Sequence, residues 1–450
     1  MEKFMAIAKS NAGEKSKIVL FLTAYSIFLI SRFLMDLGEY DSAFFAVAFG
    51  SFATVLLWAV CILIDMTSGR RKVFMSGTEK FFFAGISLWL LWAFLANFSG
   101  MSVVYLSLNF SSLREFIVVG VFTHTLFLSV KIIKLYDLKS QVIAVTVFFL
   151  GMYLLYAFIY YNRGFDFVGS LASIFQKSGR FRSRYGFRQS NTGGRLCLFF
   201  FIFTAIYRAI LREKKLSNKI RSASAWKKFA FLFPPVMIIL LTTASRTSLS
   251  SLLLFWLVYS ALSIYQKGKR YAKPMLVAIM LWLAFMLSVA IDWEALWNYF
   301  WESRGMNYIG LFPLLTAKGA WAAGVGMLSR SAINNITQMP VMDSFYLSIL
   351  LKTGLIGFII FFTSALGVTF VYFSNIRDMT ETQKFTGAII VLMYYYAIFE
   401  GGIFYGHNAL DLVNWILILL CVNEKSQTAL NKFRVRKSAR YNSRSYFAGF

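Results

Sequence analysis

An all-α, multi-pass membrane fold is what this sequence predicts, and three observations carry the prediction. Hydrophobic residues make up 58% of the 450 and charged residues only 15%, with a mean hydropathy of +0.63. A soluble domain carries about 25% charged residues, so the polar surface that would cover a water-exposed fold is missing. Apolar stretches long enough to span a bilayer, about 20 residues each, recur along the whole chain. The 49 Phe, 23 Tyr and 11 Trp suit lipid-facing helices with aromatic belts at both interfaces.

In chain order the predicted spans lie near 18–36, 43–64, 80–98, 114–130, 141–161, 195–211, 229–244, 247–266, 274–291, 344–374, 385–404 and 409–422, about twelve in all. The first follows a polar stretch ending at Lys17 and has no small-residue cleavage site after it, so it reads as a retained helix. The tenth is long enough to contain a break, which Lys352-Thr-Gly354 would supply. The last is short enough to start deeper in the membrane. Cys61, Cys197 and Cys421 each fall inside an apolar stretch, without metal-ligand spacing, and read as small core residues. The whole chain, 1–450, is expected to form one integral membrane domain. It carries two larger outer loops, 162–195 and 292–343, and a basic tail from 423 to 450.

Charge sets the orientation. With the N-terminus inside and strict alternation, the cytoplasmic segments (the N-terminus, 66–80, 131–140, 208–228, 267–273, 375–384 and the tail) hold 32 of the 46 Lys and Arg residues. Short cytoplasmic loops concentrate Lys and Arg, so both termini are predicted to be cytoplasmic. The formal charge of +26 does not indicate nucleic acid, because the basic residues form short runs between spans rather than one stripe or module.

One outer loop runs against this rule. Segment 162–195 carries Arg163, Lys177, Arg180, Arg182, Arg184, Arg188 and Arg195 against a single carboxylate, Asp166. Its core reads Gly179-Arg-Phe-Arg-Ser-Arg-Tyr-Gly-Phe-Arg188-Gln-Ser-Asn-Thr-Gly-Gly194. Arginine presents a planar fork that stays charged and matches phosphate bidentately. Such a cluster with glycines beside it suits a pyrophosphate; lipid headgroup contact or plain solvation is the bland alternative. A second polar feature, Thr242-Thr-Ala-Ser-Arg246-Thr-Ser-Leu-Ser, separates the seventh and eighth spans at the outer face. Arg246 there either snorkels to the interface or serves a site, since charge at membrane level is a functional candidate by default. His124 lies inside the fourth span and reads as a satisfied core residue.

At these residues the chain resembles a known family. Arg182 and Gly193, with ten residues between them in a large outer loop, resemble the loop motif of Wzy-type O-antigen polymerases. Ser245-Arg-Thr-Ser-Leu resembles the Ser-Arg-small turn of the wider O-antigen ligase and polymerase superfamily. Gly324-Val-Gly326, followed by Asp343-Ser-Phe-Tyr-Leu and then Thr-Gly354-Leu-Ile-Gly357, resembles that superfamily's second periplasmic loop. The likeness covers roughly 180 to 360, and no single motif is very specific; their order and shared outer-face placement carry it.

The resemblance implies a GT-C-like glycosyltransferase of about twelve spans in a bacterial cytoplasmic membrane, without cofactor or obligatory metal. The implied donor is an undecaprenyl-pyrophosphate-linked oligosaccharide, moved onto the non-reducing end of another lipid-linked repeat. The implied partners are that substrate, the lipid bilayer and, as an option, a chain-length regulator protein, with no nucleic acid. Because charge develops on a diphosphate leaving group, Arg182, Arg184, Arg188, Arg246 and Arg304 become candidates to stabilise it, with Gly193 at the loop's end. The acceptor hydroxyl needs a base within hydrogen-bond reach. Asp343 is the first choice among the outer carboxylates Asp292, Glu294, Glu302, Asp343 and Glu400, and it suits a helix N-cap equally well. The ligase branch carries His-Asn where this chain has Asp343-Ser344, which lowers the ligase alternative. A lipid-linked oligosaccharide flippase is the other alternative. Secondary transporters show repeats and polar residues near the midplane, whereas most spans here read as apolar in the middle.

Overall fold

A computed structural model describes residues 2–35, 43–68, 73, 75–98, 110–161, 184–187, 190–216, 225–243, 245–267, 276, 279–280, 311–313, 315–316, 319–327, 344–374, 376–399, 404–405, 408–422 and 424. Among them the regular elements are helices: α1 (Glu2–Leu34), α2 (Ala43–Thr67), α3 (Gly77–Phe98), α4 (Phe110–Tyr136), α5 (Lys139–Tyr161), α6 (Ser190–Leu216), a 3-10 turn (Ala225–Leu232) running into α7 (Phe233–Thr242), α8 (Arg246–Lys267), α9 (Phe345–Phe373), α10 (Glu381–Phe399) and α11 (Ala409–Val422). Eight of the described helices are long and apolar enough to cross a membrane, and two shorter apolar ones, Phe229–Thr242 and Ala409–Val422, accompany them. The predicted span 274–291 lies almost wholly outside the described residues, and the predicted span 385–404 is displaced to Glu381–Phe399.

Large apolar side chains point outward from the bundle, with Phe370 78% and Ile159 70% exposed. Such faces belong in lipid. The chain is an all-helical, multi-pass membrane protein.

Side-chain contacts set the helix directions. Lys17 near the start of the α1 span bonds the Thr67 carbonyl at the end of α2 (2.6 Å), and Lys134 near the end of α4 pairs with Glu79 in the first turn of α3. Arg212 near the end of α6 pairs with Glu381 at the start of α10. Helices α1, α3, α5 and α10 therefore run from one end of the bundle, called proximal below, to the other, called distal. Helices α2, α4, α6, α8 and α11 return. α11 is buried at every described position, as a helix apolar nearly all round should be. The three cysteines are free and buried; His124, expected in the core, is instead exposed on α4, where it accepts a hydrogen bond from the Trp58 indole (3.0 Å).

The break anticipated at Gly354 is present and sharper than a kink. Gly354 adopts φ 65°, ψ −172° in the middle of α9. Residues 16 apart in a continuous helix lie about 24 Å apart along its axis. Here the rings of Phe345 and Phe361 are 5.7 Å apart, and those of Tyr346 and Phe362 5.1 Å. The first arm, 345–353, thus folds back on the second, 355–373, as a helical hairpin. The second arm runs antiparallel to α3, where Gly85 abuts Ser364 and Gly367 abuts Phe81.

Segment 319–327 clasps the tip of this hairpin. Val325 and Gly326 donate their backbone N–H groups to the carbonyls of Leu351 and Lys352 (2.7 and 3.0 Å), and Leu355 and Ile356 donate to the carbonyls of Trp321 and Ala322 (2.7 and 3.3 Å). The Trp92 indole bonds the Thr353 carbonyl (2.9 Å). The polar groups freed by the break are thereby matched, as irregular backbone at membrane depth requires. Glycine is needed on both sides: a Cβ on Gly324 would lie 2.5 Å from the Gly354 nitrogen, and one on Gly354 would collide with the Ala322 carbonyl.

Candidate functional site

Two of the sequence motifs meet at the distal end. The described end of the arginine loop, 184–187, is a tight turn in which Phe187 donates its N–H to the Arg184 carbonyl (2.8 Å), with Tyr185 at φ 46° and Gly186 at φ 74°. Tyr185 is buried and its hydroxyl shares a hydrogen bond with Thr242 (2.8 Å), at the end of α7. Arg184 is exposed beside it. One turn into α6, Gly193 and Gly194 let neighbours approach closely. A Cβ on Gly193 would meet the Phe187 ring and Thr243, and one on Gly194 would lie 2.7 Å from Ser245 and 2.8 Å from Ser248.

The two serines of Ser245-Arg-Thr-Ser248 explain part of that motif. Ser245 precedes α8, its side chain accepts from the Ser248 N–H (3.3 Å), and the two hydroxyls share a hydrogen bond (2.9 Å). That is an N-cap, satisfying a donor the helix would otherwise leave open. It fixes Arg246 as the first residue of α8; its side chain lies outside the described residues.

Helix α10 joins these elements to the hairpin. Tyr396 shares a hydrogen bond with Ser248 (3.4 Å) and Tyr395 with Ser250 (3.0 Å), while Ser344 donates to the neighbouring Ala397 carbonyl (3.4 Å). Ser344, not Asp343, holds the N-cap position of α9. It is buried, extended (φ −77°, ψ 128°) and makes no side-chain cap bond. Asp343 itself lies outside the described residues, as do Arg182, Arg188, Arg304, Asp292, Glu294, Glu302 and Glu400. The N-termini of α6 and α8 meet here, Gly194 against Ser245 and Ser248, and helix dipoles at such ends favour negative charge.

Sequence reasoning passed over residues at this level, because 409–422 read as an apolar span. Asp411, in the first turn of α11, is completely buried. The Tyr405 hydroxyl, which shares a hydrogen bond with Thr123 (2.8 Å), is pushed well above the usual tyrosine range by burial, with the Asp411 carboxylate adding to the effect. Asn414, one turn further along α11, is also completely buried. The signal for both was an Asp and an Asn one turn apart in an otherwise apolar run.

Fold and site together define the class: a polytopic helical membrane protein whose distal end combines an arginine-bearing turn, close glycine packing and converging helix N-termini. No family model matches the chain, and no curated protein is found similar to it.

Proposed function

We propose that this protein is a polysaccharide polymerase of the bacterial cytoplasmic membrane. It would transfer a glycan from undecaprenyl pyrophosphate to the non-reducing end of another lipid-linked repeat, for O-antigen or capsule. In this reading the chain has about twelve spans in a GT-C-like arrangement, cytoplasmic termini and a periplasmic distal end. The glycosidic carbon–oxygen bond to the diphosphate breaks, the acceptor hydroxyl oxygen bonds to that carbon, and the diphosphate leaves with the electron pair. The hydroxyl proton passes to a carboxylate, for which Asp343 is the sequence candidate. Arginines of the 162–195 loop, with Arg246 and Arg304, would stabilise the charge that develops on the leaving group.

The observation that carries the proposal is the packing of the arginine turn at Arg184–Phe187 against Gly193 and Thr242, with Gly194 beside it against the Ser245-Arg-Thr-Ser248 cap, more than 50 residues along the chain. A flippase for the same lipid-linked oligosaccharide is favoured by a different observation, the hairpin broken at Gly354, since discontinuous helices build transporter sites. Deleting the gene in its native host and running surface lipopolysaccharide on a gel separates these readings. Core capped by one repeat, with the ladder gone, supports the polymerase. Bare core with polymer accumulated on undecaprenyl indicates the ligase, and bare core with single lipid-linked repeats retained inside indicates the flippase. Complementation with Arg184→Ala is expected to lower polymer by about 100-fold with the protein still in the membrane. A full ladder from that variant removes Arg184 from the site.

A further inference from the structure

One side chain on the lipid-facing surface is out of place in lipid. His124 is exposed on α4, eight residues after Phe116 and twelve before Tyr136, the ends of its apolar span. At 1.5 Å per residue those are about 12 Å and 18 Å, which puts the ring in the middle of a hydrocarbon layer about 30 Å thick. Trp58 is equally central in the Ala48–Thr67 span of α2. Its indole N–H can only donate, so His124 Nδ1 is the acceptor of their hydrogen bond (3.0 Å). The proton of the neutral ring is then on Nε2, and that N–H has no acceptor among the described residues. Hydrocarbon holds no water to supply one, and an unmatched donor there opposes insertion.

The surface around this donor suits a close neighbour. Gly120 lies one turn distal of His124, and a Cβ added there would meet nothing within 4 Å. The chain's own packing therefore makes no use of this glycine, which is a poorer helix former than alanine. On either side Ile117 is 51% exposed and, one turn from Trp58, Val55 is 49% exposed. Helices α2 and α4 run parallel, joined again toward the proximal end by Asp65–Lys131 and Ser68–Tyr136, so they present one continuous face. A small residue one turn from a polar side chain is how helices associate in a bilayer. The glycine lets backbones approach, and the polar group bonds across the seam.

The donor also narrows the partner. Copies of one membrane protein share orientation and depth, so in a symmetric pair His124 would face groups at its own level. Those are the other copy's His124, whose Nε2 also donates and whose Nδ1 is occupied, and apolar side chains such as Val55. None of these accepts. We propose that the α2–α4 face at Gly120 and His124 is a docking surface for a transmembrane helix of a different membrane protein, one with a Ser, Thr, Asn or Gln near mid-span. The partner's backbone seats on Gly120, and its side-chain oxygen accepts the Nε2–H hydrogen bond. This inference does not depend on the polymerase reading and holds equally for an enzyme or a flippase.

The first probe is a synthetic transmembrane peptide of about 20 leucines with one central asparagine, compared with its all-leucine counterpart. The labelled full-length protein is reconstituted in phosphatidylcholine vesicles with either labelled peptide, and association is read by energy transfer. The asparagine peptide is expected to bind about 3- to 30-fold tighter, the range of one interhelical hydrogen bond in a membrane. That preference should vanish in His124→Leu and persist in His124→Gln, whose amide can accept from Trp58 and donate outward. Gly120→Leu should weaken binding although the donor is intact. Equal binding of the two peptides to the parent, or a preference that survives His124→Leu, overturns the proposal. The comparison on the parent and on His124→Gln keeps the test valid if His124→Leu fails to fold. In the native membrane, a benzophenone photocrosslinker at position 117 is expected to join one different protein through a span with a central Ser, Thr, Asn or Gln, and less of it in His124→Leu. Crosslinks to lipid alone, or to a second copy of this chain, overturn the proposal.

Discussion

At the proximal end, Lys131 meets Asp65 (2.5 Å), Lys134 meets Glu79, Lys139 meets Glu424 (2.9 Å), Arg212 meets Glu381 (3.3 Å) and Lys214 meets Asp137 (3.5 Å). At the distal end Arg32 bonds the Thr54 hydroxyl (2.5 Å), and the site's own polar contacts join neutral groups: Tyr185 to Thr242, Ser245 to Ser248, Ser248 to Tyr396, and backbone to backbone across Gly324 and Gly354. Both ends are basic in sequence. The proximal cations are matched by carboxylates of neighbouring helices and so serve the fold. The 162–195 loop has seven cations to one carboxylate, and of its two described arginines Arg184 is exposed and Arg195, in the first turns of α6, is partly buried. The exposed Arg184 is open to a ligand. Pairing, rather than the number of charges, separates structural cations from candidate functional ones.

If the distal end is closed by backbone fit, added volume should break it. Gly354→Leu combines a positive φ of 65° with a collision against the Ala322 carbonyl, and it opens the hydrogen bonds that join 321–326 to 351–356. Left-handed strain and several lost backbone bonds together exceed about 4 kcal/mol. The expected outcome is loss of the monodisperse peak on size-exclusion chromatography in detergent. A variant that elutes and melts like the parent would show that the clasp is incidental to the distal end.

Charge removal is the matching test for the proximal end. Glu79 is fully buried, accepts from the Ser76 N–H and hydroxyl (2.8 and 3.2 Å), and pairs with a Lys134 side chain that is only 10% exposed. Glu79→Gln leaves that ammonium unmatched, and breaking a buried pair from one side costs about 3–5 kcal/mol. Adding Lys134→Met should restore most of the loss, because apolar replacement of a buried pair is often close to neutral. Chemical denaturation of the single and double variants measures both. A double variant no better than the single would mean that Glu79 acts mainly by capping α3 at Ser76.

How far the sequence foretold this arrangement depends on range. Gly354 in an overlong apolar run announced a break, and the short run 409–422 announced a helix that starts below the distal surface. Neither implied that 345–353 folds back onto 355–373, because a hairpin and a straight span have the same local composition. The clasp joins residues about 30 apart through backbone atoms, which carry no side-chain signature beyond the glycines themselves. Asp343 read as a cap because Asp favours that position, yet the chain places Ser344 there. Asp411 and Asn414 were hidden by reading 409–422 as an apolar span, where two polar residues weigh little against twelve neighbours.

A smaller effect probes the arginine turn. Tyr185→Phe keeps the buried ring and removes only the hydroxyl shared with Thr242, whose own hydroxyl still donates to the Ile238 carbonyl (2.7 Å). The expected loss is therefore that of one hydrogen bond with no donor stranded, about 1 kcal/mol. If the turn at Arg184 is held mainly by Tyr185 and Phe187 packing, polymer synthesis should persist at reduced yield. Complete loss would show that the hydroxyl itself positions the turn.

The smallest effect comes from the most exposed proximal pair. Lys214 reaches Asp137 at 3.5 Å, but Asp137 is 73% exposed and the ammonium also bonds the Ser140 hydroxyl (3.1 Å). Exposed pairs contribute roughly 0–1 kcal/mol and are screened by salt. Lys214→Ala should thus shift the unfolding midpoint slightly at low ionic strength, and the difference should fade toward roughly 0.5 M salt, where the Debye length falls to about 4 Å. Glu79→Gln, buried and shielded from ions, should keep its full penalty across the same series. If instead both respond equally to salt, the Glu79–Lys134 pair is solvated in the membrane protein. Proximal pairing would then contribute to orientation and assembly more than to stability.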